Sequence, residues 1–352
     1  MIVPHVRNKW DKLKTVMLGT PHMPEFFDGI KNAKIREPLK QITHETIEDL
    51  DNFERILKDF GCKVIRPETE HKHIEEYNGV VPRNAMQPRD GQLVIDNKLV
   101  LTTDDNKGIS TAIKQHIDKS SIMIAPAYTD MYRQRITKDT DFESEEANLK
   151  LYAPCITVVN DKIIIDNLGL GKNAERDVEW FKNKFPNKKI EVVKVGGHSD
   201  ACFNTVKEGA ILSLYDIMTY EETFPGWDVC YLPDQGSHHQ YRLQWEDWKE
   251  KVENRWYVEG QGDNDEFINY VNTWLDEWVG NVWETVFDVN MLVVDEHNVI
   301  CIKEHEQSFK KMQEIGITPH VVDFPARHFW DGGMHCLTTD IRRSGGCLNY
   351  FK

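Results

Sequence analysis

Two adjacent glycines and a cysteine stand just before the last strand-like run of the chain, and we predict the chemistry there. Gly332 and Gly333 have no side chain, so the backbone can approach a ligand closely or adopt a positive φ. Cys336 opens the run that continues through Ile341, which places its sulfur at the mouth of a predicted strand. Taken alone, this pattern favours a glycine turn with Cys336 as a small buried hydrophobe. Polar residues elsewhere reverse that preference.

Two carboxylates and a histidine complete the set that a reactive cysteine needs. Asp90 follows Pro88 and Arg89, and His198 and Asp200 are two residues apart, so an extended segment projects both to one side. Carboxylates accept a planar guanidinium bidentately, and a nearby cation lowers the pKa of a thiol. Attack on the guanidinium carbon also needs a proton donor for the leaving amine, and His198 suits that role. Each residue alone has a structural alternative: a turn for Asp90, a strand-end cap for Asp200, a surface histidine for His198.

The elements that position these residues repeat in one order: a β-hairpin, a helix and a closing strand. Hairpins are predicted over 92–103, 155–166, 201–213 and 289–302. Helical spacing of apolar residues runs from Thr43 to Phe60, with Gly61 as the C-cap, and recurs at 109–117, 178–181 and 309–315. Closing strands are predicted over 62–67, 122–126, 190–195, 229–233 and 320–325.

The first strand (12–19) and the last (336–343) lie at opposite ends of the chain, and the last has no partner after it. Pairing them closes a ring of five hairpin–helix–strand units, an α/β fold whose units share an order of elements rather than a sequence. Polar segments enter the hairpins at Asp90, Tyr152–Cys155, His198–Asp200, Asp288–Asn290 and Cys336. Equivalent positions in such a ring converge on its axis, so one central site is predicted.

We expect a single domain over residues 1–352 with a helical insertion at about 234–285. Seven of the ten tryptophans lie between Trp227 and Trp283, and Trp274 and Trp278 are one helical turn apart. This spacing predicts an amphipathic insertion whose aromatic side chains are buried against the body of the protein. A lid or an oligomer contact is the functional alternative.

The composition excludes several classes of protein. The net charge of −15 over 352 residues argues against nucleic-acid binding and would attract a cationic substrate. Seven cysteines without a Cys-x-x-Cys pair argue against a disulfide framework and favour a reducing cytoplasm. The sequence begins without an apolar signal region, and no apolar run reaches membrane-spanning length, so no membrane partner is expected. Because His238, His239 and His335 lack metal-ligand spacing, we predict no metal and no cofactor.

In these segments the chain resembles the glycine amidinotransferase family, within the guanidino-group-modifying enzyme superfamily. The resemblance covers nearly the whole chain except the tryptophan-rich insertion. Its matching segments are Trp10–Leu13, Pro88–Asp90, His198–Phe203, Asn290–Glu296, Gly332–Cys336 and Asp340–Arg343. The last two segments are the most specific.

The resemblance implies a five-bladed α/β propeller with Cys336 as nucleophile, His198 as general acid and base, and Asp90 and Asp200 as guanidinium-binding residues. It also implies two half-reactions through an amidino-cysteine. A guanidino donor such as arginine first loses its amine, and a second amine then takes the amidino group. The implied partners are these two small molecules, and a homodimer is a further expectation.

Two segments depart from the family's pattern. The family has Asp-Ala-Ala-Asp entering the second hairpin, where the first aspartate orients the catalytic histidine, and this chain has Tyr152-Ala153-Pro154-Cys155. Tyr152 is one replacement for that aspartate, and Glu145 or Glu146 is the other. The family also binds the substrate carboxylate through an arginine after the third hairpin, where this chain has Asp216-Ile217. The identities of the donor and the acceptor therefore stay open.

Two other functions compete with amidino transfer. A hydrolase of the same superfamily would use water in place of the acceptor amine and release ammonia. A binding protein with weak or no turnover is favoured by the missing carboxylates near Tyr152, and opposed by the joint presence of Asp90, His198, Asp200 and Cys336. Products formed from arginine would separate the transferase from the hydrolase, and a covalent adduct would separate both from a binding protein.

Overall fold

The structure is a computed structural model, and it describes residues 1–69, 73–77, 81–103, 106–129, 153–166, 174–193, 199–214, 220–232, 258–275, 279, 289–330 and 332–345. The strands in these residues are β1 (Lys12–Leu18), β2 (Lys63–Ile65), β3 (Gln92–Ile95), β4 (Lys98–Thr103), β5 (Ile122–Thr129), β6 (Ile156–Val159), β7 (Lys162–Asp166), β8 (Lys189–Val193), β9 (Phe203–Lys207), β10 (Ala210–Ser213), β11 (Asp228–Tyr231), β12 (Leu292–Asp295), β13 (Asn298–Cys301), β14 (Thr318–Val321) and β15 (Thr338–Ser344). The helices are α1 (Ala33–Asp59), α2 (Lys107–His116), α3 (Ala174–Lys184), α4 (Ser199–Cys202), α5 (Tyr220–Thr223), α6 (Asp265–Trp274), α7 (Glu306–Glu314) and α8 (Arg327–Trp330).

The strands form five three-stranded sheets that share one topology. In four of the sheets a hairpin is extended by a third strand that lies parallel to the hairpin's second strand. The fifth sheet has the order β15-β1-β2, in which β15 pairs antiparallel with β1 and β2 lies parallel to β1. Leu18 opposes Thr338 and Lys12 opposes Ser344, so the two ends of the chain do pair. The predicted order of elements and the predicted closure are both confirmed.

Three hairpin turns follow from residues that tolerate the left-handed backbone region. Asp96 turns β3 into β4 with φ +50°, and Asn160 turns β6 into β7 with φ +51°. Gly209 turns β9 into β10 with φ +76°. Asp, Asn and Gly adopt this region at little cost, which is why the sequence marks these turns clearly.

Helix α1 is longer than predicted. The spacing of apolar residues predicted a start at Thr43, but the helix begins at Ala33, where the Asn32 side chain accepts a hydrogen bond of 3.0 Å from the Lys34 N–H. Pro38 lies inside the helix and obscures its first part in the sequence, because proline supplies no N–H for the helical ladder. The predicted end is confirmed, since Gly61 follows with φ +81°.

Helix α6 lies in the described part of the predicted insertion (258–275 and 279), and it packs on α1. Phe267, Ile268 and Val271 are buried in the same apolar cluster as the inner face of α1. Burial was predicted for the tryptophans of this region, but Trp274 is 45% exposed. It lies at the last position of α6, at the edge of the buried face, and its ring packs beside Tyr270 with the centroids 6.5 Å apart. The predicted partner of Trp274, Trp278, and the tryptophans at 245, 248, 256 and 283 lie outside the described residues.

The largest apolar cluster also fixes the segment that leads to the cysteine. Phe329, Trp330, Met334 and Leu337 are buried in it together with residues of β1 and α1. The Trp330 indole N–H donates to the Thr46 hydroxyl of α1 at 2.7 Å. The loop before β15 is therefore anchored to the first helix of the chain. In the described part of the chain, none of the helices is both long and apolar enough for a membrane span.

Candidate active site

Cys336 lies in a tight turn between α8 and β15. The turn is closed by the Leu337 N–H, which donates to the Gly333 carbonyl at 3.1 Å, and by the Thr338 hydroxyl, which donates to the Met334 carbonyl at 2.9 Å. The sequence suggested that Cys336 opens the last strand. The strand begins at Thr338, so the sulfur lies in the turn before it. Cys336 is 7% exposed.

Both glycines pack closely against the site, and at Gly333 a side chain is excluded. A Cβ on Gly333 would lie 2.5 Å from the Asn290 carbonyl oxygen, and a Cβ on Gly332 would lie 3.0 Å from the Cys336 Cβ. The first distance is too short for any side chain because the backbone would have to move. The glycine pair therefore lets the turn press against the segment before β12.

Asn290, at the end of that segment, makes two hydrogen bonds to the cysteine. Its Nδ2 lies 3.0 Å from the Cys336 Sγ, and its Oδ1 accepts from the Cys336 N–H at 3.0 Å. Nδ2 also donates to the Asp200 carbonyl at 3.1 Å. Sequence reasoning placed Asn290 in a polar segment before the fourth hairpin but gave it no role at the site.

Asp200 lies directly against the cysteine. Its Oδ2 lies 3.5 Å from the Cys336 Sγ, and its side chain is 4% exposed. Asp200 stands in the short helix α4 rather than in an extended segment. The prediction that His198 and Asp200 project to one side assumed an extended segment, so it does not apply here. His198 lies outside the described residues, as do Tyr152, Glu145 and Glu146.

His335 is a member of the site that sequence reasoning treated as a spare histidine. Its Nδ1 lies 2.7 Å from the Asp200 Oδ2, and the residue is 3% exposed. Burial, together with the positive charges of Arg89 and Lys9, lowers the pKa of His335 to about 3, although Asp200 opposes the shift. The imidazole is therefore neutral near pH 7. Because a carboxylate only accepts, Nδ1 carries the proton and donates it to Asp200.

Asp90 lies at the edge of the site in a turn, which agrees with its structural alternative. Its N–H donates to the Gln87 carbonyl at 3.2 Å, and its Oδ2 lies 3.3 Å from the Arg83 Nη2. Its charge reaches the cysteine, because it is one of the causes of the raised thiol pKa described below. The structure thus brings Asp90, Asp200 and Cys336 into one region.

Arg89, next to Asp90, joins this region to the last strand. Its Nε donates to the His335 carbonyl at 2.8 Å, and its Nη2 lies 2.9 Å from the Asp340 Oδ1. Arg343 donates from Nε to the other Asp340 oxygen at 2.7 Å. Burial works to raise the pKa of Asp340, but Arg343 and Arg89 outweigh it and hold that pKa well below its usual range. Asp340 is therefore a fixed negative charge.

The surroundings of Cys336 disfavour its thiolate. Burial, followed by the negative charges of Asp200 and Asp90, raises the pKa of the thiol well above its ordinary value. The Asn290 hydrogen bond and the charge of Arg89 act in the opposite direction. A bound cation between the two carboxylates would remove part of this penalty, because it would offset their charges.

Lys9 is a further residue that the sequence did not mark. It is 8% exposed, and burial lowers the pKa of its ammonium to about 8 against the attraction of Asp200. It therefore adds positive potential beneath the site. For a metal ion, the described residues offer no group of three or more His, Cys, Asp or Glu side chains.

Comparison with known proteins relates the chain to amidinotransferases in sequence and in fold. No family model matches the chain. Its sequence is similar to that of the mitochondrial glycine amidinotransferase of Xenopus laevis, with 23% identity over 400 residues that cover 98% of this chain and 84% of the relative. Its fold is similar to that of SxtG, an amidinotransferase from Microseira wollei in the saxitoxin biosynthetic pathway. The TM-score is 0.66 at 17% identity, and the match covers 99% of this chain and 100% of SxtG. A dimethylarginine dimethylaminohydrolase is similar at a TM-score of 0.53, with 12% identity and 93% and 99% covered.

The chain therefore has the α/β fold shared by amidinotransferases and dimethylarginine dimethylaminohydrolases. The predicted resemblance to the glycine amidinotransferase family is confirmed over nearly the whole chain. As predicted, this similarity indicates an amidinotransferase enzyme.

The buried neutral His335 should make the protein sensitive to acid. Its pKa is about 3 in the folded chain and near 6.5 when unfolded, so between these values only the unfolded state binds the proton. The free energy of unfolding should therefore fall as the pH drops below 6.5. Relative to His335→Asn, the wild type should lose about 2 kcal/mol between pH 7 and pH 5.

Denaturant titrations of both proteins at each pH measure this difference. The control is His44→Asn, since His44 is exposed on α1 and lies outside the site. If the free energy of unfolding fell with pH equally in the wild type and in His335→Asn, that result would contradict a neutral buried His335.

Proposed function

We propose that the chain transfers the amidino group of a guanidino donor, with arginine as the first candidate, to an amine acceptor through a covalent amidino-cysteine at Cys336. The observation that carries this proposal is the contact between a buried thiol and a buried carboxylate, with the Asp200 Oδ2 3.5 Å from the Cys336 Sγ. With the sulfur ionised, this pair would hold two negative charges in contact, which a neighbouring cation would offset. A guanidinium supplies the cation and also the electrophilic carbon.

Asp200 and Asp90 are proposed to bind the guanidinium. An N–H of the substrate that donates to Asp200 would bring the guanidinium carbon next to Sγ, and Asp90 would receive donors from the other side. The bound cation would offset the two charges that raise the thiol pKa, so binding and formation of the thiolate would support each other.

The proposed reaction consists of two balanced half-steps. The Cys336 sulfur attacks the guanidinium carbon, the bond from that carbon to the donor's amine nitrogen breaks, and the leaving amine takes a proton. The acceptor amine then attacks the same carbon, loses a proton, and the carbon–sulfur bond breaks. We assign the proton transfers to His198 on the resemblance, since that residue lies outside the described part of the chain.

Other features of the proposal rest on the same resemblance. Five sheets of one topology, closed by the pairing of β1 with β15, support a five-bladed propeller with the site at its centre. A single domain over 1–352, a cytoplasmic location and a homodimer stay predictions. The segment at Asp216-Ile217, where the family has its carboxylate-binding arginine, lies outside the described residues. The proposal therefore includes donors and acceptors that carry no α-carboxylate.

A guanidino-group hydrolase is the second candidate, favoured by the fold similarity to dimethylarginine dimethylaminohydrolase. In that reaction water replaces the acceptor amine. The cysteine and the carboxylates would act in the same way, so the residues described above do not separate the two reactions.

Product analysis separates them. With arginine and a panel of primary amines, the wild type should release ornithine and form a new guanidino compound, both measured by chromatography with mass spectrometry. Cys336→Ala should form neither while its circular dichroism spectrum stays that of the wild type. Citrulline and ammonia in place of these products would assign the chain to the hydrolases, and full activity of Cys336→Ala would refute the mechanism.

Binding of the guanidinium can be tested without turnover in the Cys336→Ala background. Asp200→Asn keeps the size of the side chain but removes a charge-assisted acceptor, so the affinity for arginine should fall by about 10- to 100-fold. Asp90→Asn should have a smaller effect because its side chain is 17% exposed. Isothermal titration calorimetry measures both, with Asp161→Asn in an exposed hairpin turn as the control. Wild-type affinity in both variants would assign these aspartates to the fold.

A further inference from the structure

The nucleophile proposed above needs a source of thiolate stabilisation inside the protein. Cys336 is 7% exposed, and two carboxylates act on it, so without a substrate its environment favours the protonated thiol. A thiol attacks carbon as its thiolate. A hydrogen-bond donor aimed at the sulfur would favour the charged form, because such a bond is stronger to an anion than to a neutral acceptor.

The partners of Asn290 fix which of its atoms faces the sulfur. The Cys336 N–H can only donate, so the amide atom 3.0 Å from it must be the oxygen. The Asp200 carbonyl can only accept, so the atom 3.1 Å from it must be the nitrogen. The same nitrogen lies 3.0 Å from Sγ. The amide therefore presents a donor to the sulfur, and an amide flip would break both backbone contacts.

The surrounding structure holds Asn290 in this position. Asn204 Nδ2 donates to the carbonyls of Val289 and Met291, each at 2.9 Å, so the residues on both sides of Asn290 are tied to β9. Gly333 leaves the room that Asn290 occupies, because a Cβ there would lie 2.7 Å from the Asn290 Oδ1. Asn290 is 1% exposed, so water does not compete for its amide.

We propose that Asn290 is a further catalytic residue, which stabilises the Cys336 thiolate by donating from Nδ2 to Sγ while its Oδ1 holds the Cys336 amide. The proposal rests on the proposed function in that Cys336 is the nucleophile. In the second half-step the same donor stabilises the sulfur as it leaves the amidino carbon. Asn290 therefore acts on the reacting atom in both half-steps.

The test measures ionisation of the sulfur and needs no turnover. Alkylation of Cys336 by iodoacetamide is followed from pH 6 to pH 11 by mass spectrometry of its peptide, in the full-length wild type and in Asn290→Ala, Asn290→Asp and Asn204→Ala. A change in access multiplies the rate at every pH, whereas a change in ionisation moves the midpoint of the pH profile. The two effects are therefore separable.

Asn290→Ala should raise the midpoint by about one to two pH units, the shift expected for loss of one hydrogen bond to a charged group. Asn290→Asp keeps the shape and the acceptor for the Cys336 N–H but removes the donor, so its midpoint should rise at least as far. Asn290→Asp therefore still tests the proposal if Asn290→Ala does not fold. Asn204→Ala loosens the same segment without touching Sγ, so its midpoint should rise by clearly less than that of either Asn290 variant.

If the folded Asn290 variants had the same midpoint of the alkylation pH profile as the wild type, the proposal would be overturned. An equal shift in Asn204→Ala would overturn it too, since loosening of the segment would then explain the effect. Failure of the proposed function has a different signature: the wild type would form no guanidino product and no adduct with arginine, while the midpoints would still separate as described.

Discussion

Asp340 binds two arginines at once, and both the closure of the chain and the site depend on these buried ion pairs. Arg343 is 1% exposed, and its guanidinium donates to Asp340. It also donates to the carbonyl of Asp11 at 2.7 Å and to that of Val293 at 2.6 Å. Arg89 ties Asp340 to the His335 carbonyl. Loss of one partner from such a buried set typically costs about 3–5 kcal/mol, because a charge is left unpaired. The last strand, the first strand and the turn of Cys336 are thereby held together.

Within this frame the site combines burial with an excess of negative charge at the sulfur. Burial strengthens each contact that Asn290 and Asp200 make, because the local dielectric is low. The same burial raises the pKa of Cys336 and so favours the protonated thiol. A cationic guanidinium would reverse this balance as it binds. Selectivity for a cation and activation of the nucleophile would then have one electrostatic origin.

The fold could be predicted from the sequence wherever local chemistry determines local structure. Asp96, Asn160 and Gly209 mark their turns because few residues accept a positive φ, and the alternation of hairpins and helices defines the five units. The roles of Asn290 and His335 could not be predicted in this way. Their partners at the site, Cys336 and Asp200, are 46 and 135 residues away along the chain, and a local pattern carries no information on such pairs.

The central claim is that Cys336 carries the amidino group between the two half-steps, and mass spectrometry tests it most directly. The wild-type chain is incubated with arginine without an acceptor amine, quenched in acid, digested and sequenced. We expect an amidino adduct on the peptide that contains Cys336, absent from Cys336→Ala and discharged when an amine is added before the quench. Turnover with an unmodified Cys336, or an adduct on one of the other six cysteines, would contradict it.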